Sequence, residues 1–330
     1  MTLHPSEPRI AILGAGLSGL VCGAQLRDAG YCPVVYEKSR GLGGRLATRR
    51  GPSGAFDHGA QYITARSPRF REFLERLVAA GAAAHWSPKG RDGAHPWYVG
   101  TPGMSALVRP LADGLDIRQP ARVTAVRQTG DLWHLEFEDG AQDGPFDQII
   151  STLPAPQSAV LLAKVPGIDA LSQVKIHPCW ALMLSLSRPP EGGPDSFRPE
   201  AGPIAWAARD SSKPGRAATT ETWIVHATPD WSKAHLERDP AEVIELLTPA
   251  FISSVGPTSV TAAAAHRWRY AMTARALGQP VLSLAQDTLL VGGDWTLGAR
   301  VEAAYESGLH LAERAISRFK PRQASRQVPR

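Results

Sequence analysis

The chain has 330 residues, 43% of them hydrophobic, enough to bury a sizeable core and to divide into two domains. Its formal charge is +5, but Arg318, Lys320, Arg322, Arg326 and Arg330 follow Glu313 with no further acidic residue, so the body is near neutral and neither nucleic acid nor membrane is an expected partner. Cys22, Cys32 and Cys179 are too few and too irregular for a disulfide framework or a metal site, which points to a reducing cytoplasm and no metal.

Arg9 to Leu13 predicts a short buried strand, Leu17 to Ala29 a helix closed by Gly30, and Cys32 to Glu37 a second strand. The apolar run from Ile10 to Leu26 is broken by four glycines and has no basic cluster before it, so it does not read as a signal peptide. Between the first strand and the helix stands Gly14-Ala15-Gly16-Leu17-Ser18-Gly19, the G-x-G-x-x-G pattern in the setting its chemistry requires. Gly14 permits the tight turn, Gly16 lets backbone approach a pyrophosphate, Gly19 lets helix pack on strand, and the free N–H groups around Ser18 face the phosphates. Glu37, ending the second strand, is placed to accept from ribose hydroxyls. This βαβ unit binds a dinucleotide, and the pattern alone does not choose between NAD and FAD.

The loop from Ser39 to Arg50 holds adjacent glycines and arginines, which offer backbone N–H groups and forked donors to phosphate. Pro68 to Ala80 returns to helical spacing, and Trp86 to Met104, rich in Gly, Pro and aromatic residues, reads as a covering loop. Ala121 to Gln128 and Leu132 to Glu138 alternate around Gly130-Asp131 as a hairpin, and Phe146 to Thr152 is another buried strand. From Pro156 to Tyr270, strand-like runs such as Trp180 to Leu186 and Thr222 to Ala227 alternate with Pro-rich loops, the pattern of a mixed sheet. Thr288 to Val291 predicts a strand, Gly292-Gly293 a turn, and Val301 to Phe319 a helix.

Glu37-Lys38-Ser39-Arg40-Gly41-Leu42-Gly43-Gly44-Arg45 resembles the second signature of the flavin-dependent amine oxidase superfamily, in which Gly-Gly-Arg continues along the FAD pyrophosphate. Gly292-Gly293-Asp294-Trp295 and Arg300-Val301-Glu302-Ala303-Ala304 resemble its C-terminal flavin segment. There an acidic side chain meets the ribityl chain, and a helix N-terminus faces the edge where the reduced ring carries negative charge. The resemblance implies non-covalent FAD held by Gly14, Gly16, Ser18, Gly19, Glu37, Lys38, Arg40, Gly44, Arg45, Ala60, Gln61, Val123, Asp294 and the backbone at Val301 and Glu302. These segments bracket the chain. The expected α/β architecture is a Rossmann-type FAD-binding domain with an inserted mixed-sheet substrate domain, like p-hydroxybenzoate hydroxylase and the amine oxidases. The FAD-binding domain would be discontinuous, 1–67, 105–155 and 271–320, with substrate domain 68–104 and 156–270 and a solvated basic tail 321–330.

Further runs, Gly59 to Arg66, Val99 to Met104, Ser212 to Arg216, Trp223 to Thr228 and His266 to Tyr270, resemble the bacterial renalases as an ordered set. That resemblance implies an oxidase of NAD(P)H isomers reduced at ring carbon 2 or 6, releasing NAD(P)+ and, with O2, hydrogen peroxide. Gln61, Tyr62 and His266 are the candidate catalytic residues, with Gln61, Tyr62, Trp97, Tyr98, Gly100 and Trp268 on the substrate. Tyr62 and Trp268 read equally as core aromatics, His266 as a structural histidine, and Lys213 and Arg216 either as phosphate ligands or as solvated charges. Two alternatives stand beside this reading. One is an amine oxidase, for which Lys175 is the mid-chain candidate for a water-holding lysine; the other is a flavin-binding redox module without turnover.

Overall fold

The computed structural model describes residues 7–51, 54–90, 97–217 and 220–319; the basic tail 321–330 lies outside them. Ile10–Leu13, buried at every position, pairs in parallel with Val34–Tyr36 on one side and Gln148–Ser151 on the other. A parallel strand covered on both faces carries a continuous apolar run, which is why IAIL shows no alternation. The full sheet runs Leu282–Leu284, Leu289–Val291, Gln148–Ser151, Ile10–Leu13, Val34–Tyr36, Asp116–Arg118, with the outermost pair on the C-terminal side antiparallel. Strands from near both ends of the described chain therefore lie in one sheet. Helices Leu17–Asp28 and Val301–Phe319 pack against each other, and a Cβ at Gly308 would come within 2.6 Å of the Ser18 carbonyl oxygen. Only glycine permits that approach.

A second sheet, paired antiparallel, comprises Ser196–Phe197, Ile204–Arg209, Glu221–Ala227, Lys175–Leu186 and Val260–Arg275 in spatial order. Helix Pro240–Val255 starts at an Asp239/Glu242 capping box and buries Val243, Leu247 and Phe251 in the core that includes Trp180, Leu182 and Leu184 of this sheet. No helix among the described residues is long and apolar enough to cross a membrane. The expected hairpin is present as Val123–Thr129 and Leu132–Phe137 around Gly130 at φ +60°, and Gln142–Phe146 adds a third strand. The segment expected as a covering loop is different. Trp97–Gly100 is a strand paired with Ala83–Trp86, because its aromatic residues find partners in a two-stranded ribbon; residues 91–96 lie outside the description.

Lys213 and Arg216 are neither solvated nor turned to a ligand. Lys213 Nζ lies 2.5 Å from Asp210, 3.2 Å from Asp57 and 3.3 Å from Gln61 Oε1; Arg216 pairs with Asp57 and donates to the Gly100 carbonyl at 2.8 Å. Asp57, Asp210 and Lys213 have no exposed side-chain surface and Arg216 has 4%. Burial pushes the Asp57 carboxyl up, but Lys213 and Arg216 outweigh it and hold Asp57 below the usual range. At Asp210 burial prevails, reinforced by Asp57, and the carboxyl is raised. The cluster ties the segment that follows Phe56 to the loop after Ile204–Arg209. Removing one cation leaves buried carboxylates uncompensated, so Lys213→Met should lower stability by about 3 to 5 kcal/mol. Arg188→Ala, which breaks an exposed pair with Glu191, should leave the unfolding midpoint unchanged. Chemical denaturation of both variants checks this; equal midpoints would show that the cluster is not dry in solution.

Candidate active site

A cleft of about 1430 Å³ runs from the N-terminal fingerprint to the second sheet. At one end Gly14, at φ +103°, turns the chain out of Ile10–Leu13, and Gly19 abuts that turn, where a Cβ would sit 2.0 Å from the Gly14 oxygen. Gly19 is thus a packing glycine outside the cleft wall, a correction to its expected cofactor contact. Gly16 lines the cleft, and nothing lies within 4 Å of where its Cβ would stand. The second signature is laid directly on the first: Gly43 N–H donates to the Ala15 carbonyl at 2.9 Å, and Gly44 stands beside Gly16 at φ +54°. Glu37 accepts from Ala15 N–H and Ser39 N–H, both at 2.8 Å, one on each carboxylate oxygen, which leaves lone pairs on both for ribose hydroxyls. Lys38 and Val123 also line this end.

The residues present fit a dinucleotide. Ser18 Oγ is buried in the wall with no partner among the described residues, and the glycine cradle at Gly16 and Gly44 leaves room that side chains would fill. Arg40 is exposed and does not line the cleft, a second correction, because the loop turns it to solvent before Gly43 re-enters. Arg45 does line the cleft and makes a two-point ion pair with Asp294, at 2.6 and 2.8 Å, also donating to the Ala271 carbonyl. Its own carbonyl accepts from Ala60 N–H at 2.8 Å. Thus Arg45 joins the second signature to Ala60 and Asp294. Val301, opening the last helix, lines the same region. Glu302 does not: its carboxylate accepts from Arg66 N–H at 3.0 Å and Ser67 N–H at 2.7 Å, holding the start of helix Pro68–Ala79. Its side chain is therefore structural.

Farther along the cleft lie Gln61, Tyr62, His266 and Trp268. Gln61 is buried, its amide donating to the Asp57 and Gly59 carbonyls and accepting from Lys213, so the ion cluster fixes its orientation. Trp97 stacks on Tyr62 with ring centroids 3.7 Å apart but lies outside the cleft wall. Tyr98 and Gly100 are also outside. The Tyr98 hydroxyl donates to Glu75 at 2.5 Å, burial and that carboxylate pushing it up to about 12, and the Gly100 carbonyl takes Arg216. These three corrections share one cause: strand Trp97–Gly100 pairs with Ile63 through Tyr98 and so lies behind Gln61 and Tyr62 instead of covering the opening.

Two further histidines join His266. His58 packs edge-on against His266 at 4.7 Å and at a 31° tilt against Trp268 at 4.9 Å, and its carbonyl accepts from Trp268 Nε1 at 2.9 Å and from His226 Nε2 at 3.2 Å. Burial lowers His58 and His226 to about 4, and burial with Arg49 nearby lowers His266, so the imidazoles are neutral at pH 7. His58 stands directly before the Gly59 turn, which was its only sequence signal; His226 lies in the Trp223 to Thr228 run, where nothing marked the histidine itself. Lys175, the candidate water-holding lysine, is exposed at a strand end and does not line the cleft. The lining includes two carboxylates among the described residues, Glu37 and Asp294, and both are engaged by protein donors.

Comparison with known proteins agrees with this arrangement. The model of the flavin containing amine oxidoreductases matches residues 83–316, and that of the NAD(P)-binding Rossmann-like domains matches residues 12–77. Renalase of Mus musculus is 27% identical over 336 residues, covering 92% of this chain and 97% of the mouse protein. An L-glutamate oxidase precursor of Streptomyces diastatochromogenes is 40% identical, but over 24% of this chain and 12% of its own length. Among solved structures, a putrescine oxidase redesigned in its cofactor binding superposes with TM-score 0.73 at 12% identity, covering 94% of this chain and 99% of that one. At that identity the likeness concerns the fold alone. With the amine oxidoreductase model spanning most of the chain and renalase aligned along nearly all of it, the chain belongs to the flavin containing amine oxidoreductase family, as a renalase-like member.

Proposed function

We propose that the protein is an oxidase of 2- or 6-dihydro isomers of NAD(P)H that uses non-covalent FAD. The observation that carries this reading is the state of the ionisable groups in the cleft: both carboxylates are committed to protein donors, and His58 and His226 are neutral. A dihydropyridine expels hydride with help from its own ring nitrogen, so it needs positioning and no general base. An alkyl amine arrives protonated at neutral pH and must lose that proton first, yet no free carboxylate lines the wall among the described residues. The likeness to renalase supports the same choice of substrate class.

Gly14, Gly16, Ser18, Glu37, Lys38 and Gly44 would hold the adenosine and pyrophosphate, with Arg45 and Asp294 toward the ribityl chain and Val301 at the ring's pyrimidine edge. FAD held there would supply a two-electron acceptor that O2 can reoxidise, so that overall dihydro-NAD(P), O2 and one proton would give NAD(P)+ and H2O2. Gln61, locked by Lys213 and two carbonyls, and Tyr62, backed by Trp97, form a stiff wall that orients the dihydropyridine. The last helix opens toward the cleft at Val301, and its N-terminal dipole end stabilises negative charge there. The discontinuous domain division, 1–67, 105–155 and 271–320 around 68–104 and 156–270, is part of this proposal, as is a cytoplasmic location.

Anaerobic mixing with 2- and 6-dihydro-NAD(P) should bleach the flavin rapidly, while catecholamines and alkyl amines should not; bleaching by an amine alone would refute the assignment. Gln61→Ala should slow this bleaching about tenfold, the effect of one orienting hydrogen bond, with FAD retained. Asp294→Ala should weaken FAD retention by about 1 to 3 kcal/mol, since it also leaves Arg45 unpaired. Acid precipitation should release the flavin intact from the parent protein. Flavin remaining in the pellet would contradict non-covalent binding, and unchanged FAD affinity in the variant would remove Asp294 from the site.

A further inference from the structure

The register of the second sheet lines up a row of side chains that no single segment reveals. Trp206 is opposite His226, His226 is opposite Ala181, and Ala181 is opposite His266. A bulge between Ile204 and Trp206 sets that register, as bulges do when they re-aim a side chain. On the outer side, Ser196 pairs with Ala208 and Phe197 with Ala207, and Arg198 follows directly after the last paired residue, beside Trp206. Its guanidinium lies 4.7 Å from the Trp206 ring centroid. Arg198, Trp206, His226 and His266 all line the cleft, so the row forms part of its wall.

Charge distinguishes the two ends of this row. Of the other cleft arginines, Arg267 and Arg269 are paired with Glu237, Arg122 with Glu138 and Arg45 with Asp294, and Arg300 lies 3.6 Å from Glu302. Arg198 makes no ion pair among the described residues; its contact is the face of Trp206, which leaves its N–H groups free for an anion. Trp206 is itself fixed, 7% exposed and packed 5.5 Å from Tyr62, the wall residue assigned to the dihydropyridine.

We propose that Arg198 is a specificity-determining residue that receives the phosphate of the nucleotide substrate. The inference rests on the dihydronicotinamide reading of the cleft. With the reduced ring against Tyr62 and the neutral histidines, the row leads outward past Trp206, and Arg198 stands two strand spacings, about 10 Å, from His226. That is the direction in which a ribose 5′-phosphate would extend. The aromatic face holds the guanidinium in one plane, so its forked donors meet the phosphate oxygens with little loss of side-chain freedom.

The test compares dihydronicotinamide mononucleotide with dihydronicotinamide riboside, which lacks the phosphate, each as the 2- and 6-dihydro isomer, by anaerobic reduction of the FAD-loaded protein. Arg198→Ala should weaken apparent affinity for the mononucleotide about tenfold or more, with Arg198→Lys between the two, while the riboside's constant and the limiting reduction rates stay close to the parent's. Equal loss for riboside and mononucleotide, or loss for neither, overturns the proposal and leaves the oxidase reading standing. Calorimetric titration of the FAD-loaded protein with inorganic pyrophosphate provides a readout independent of turnover. Binding that is lost in Arg198→Ala supports the anion site, and binding that is absent in the parent or unchanged in the variant overturns it. If no isomer bleaches the flavin, the oxidase reading fails, and with it Arg198's role toward that substrate; the titration then decides whether an anion site exists.

Discussion

The two-point ion pair between Arg45 and Asp294 joins residues 249 positions apart, and the rest of the cleft is arranged around it. Asp294 is nearly buried, and burial would depress the guanidinium's proton affinity were the carboxylate not beside it; with Asp294 present the Arg45 pKa is raised. Charge-assisted pairs of this geometry fix angle as well as distance. Because the Arg45 carbonyl also takes Ala60 N–H, while a Cβ at Gly59 would stand 2.0 Å from that carbonyl, the same residue sets where the Gly59–Tyr62 segment passes. The pieces expected to meet the adenine, ribityl and ring ends of the cofactor are therefore held relative to one another by protein contacts.

A second set of buried charges lies behind the wall. Asp57, Asp210, Lys213 and Arg216 carry two negative and two formal positive charges with almost no exposed surface, and they hold Gln61 in one orientation. Buried pairs contribute little net stability relative to apolar packing, and in this cluster Asp210 Oδ2 and Arg216 Nε, 3.7 Å apart, make no hydrogen bond among the described residues. The cleft side is different in kind. Its histidines are neutral because they are buried, its aromatic residues stack in contact, and its carboxylates are occupied. Charge is thus kept behind the wall and at the Glu37 and Asp294 end, while the end at Tyr62 and His266 presents rings, an amide and, among the described residues, one arginine without an ion pair. Such a surface favours orientation of a planar donor over proton transfer.

Much of the fold was legible because it follows from short-range constraints. The tight turn at Gly14 and the close packing at Gly19 are demands on single positions, and only glycine meets them, so the fingerprint located strand, turn and helix together. The continuous apolar run of Ile10–Leu13 and the amphipathic Val301–Phe319 were visible for the same reason, since each pattern is set within one element. The second signature and Asp294 were legible through likeness to a family, which their placement in one cleft supports physically.

Tertiary structure decided what depends on distant partners. Lys213 and Arg216 look like loop charges in sequence, and only the approach of Asp57, more than 150 positions earlier, makes burying them tolerable. Trp97, Tyr98 and Gly100 were misplaced because a Gly- and aromatic-rich segment does not reveal which ribbon it will join. His58 and Arg198 lie in no family-like run and His226 is unmarked within Trp223 to Thr228, and their meeting depends on strand register and on a bulge near Trp206. The sequence by itself determined the dinucleotide-binding framework, because backbone geometry at glycines is local. Which side chains face the cleft was left to the pairing of strands, where a shift of one residue would turn every one of them to the other side of the sheet.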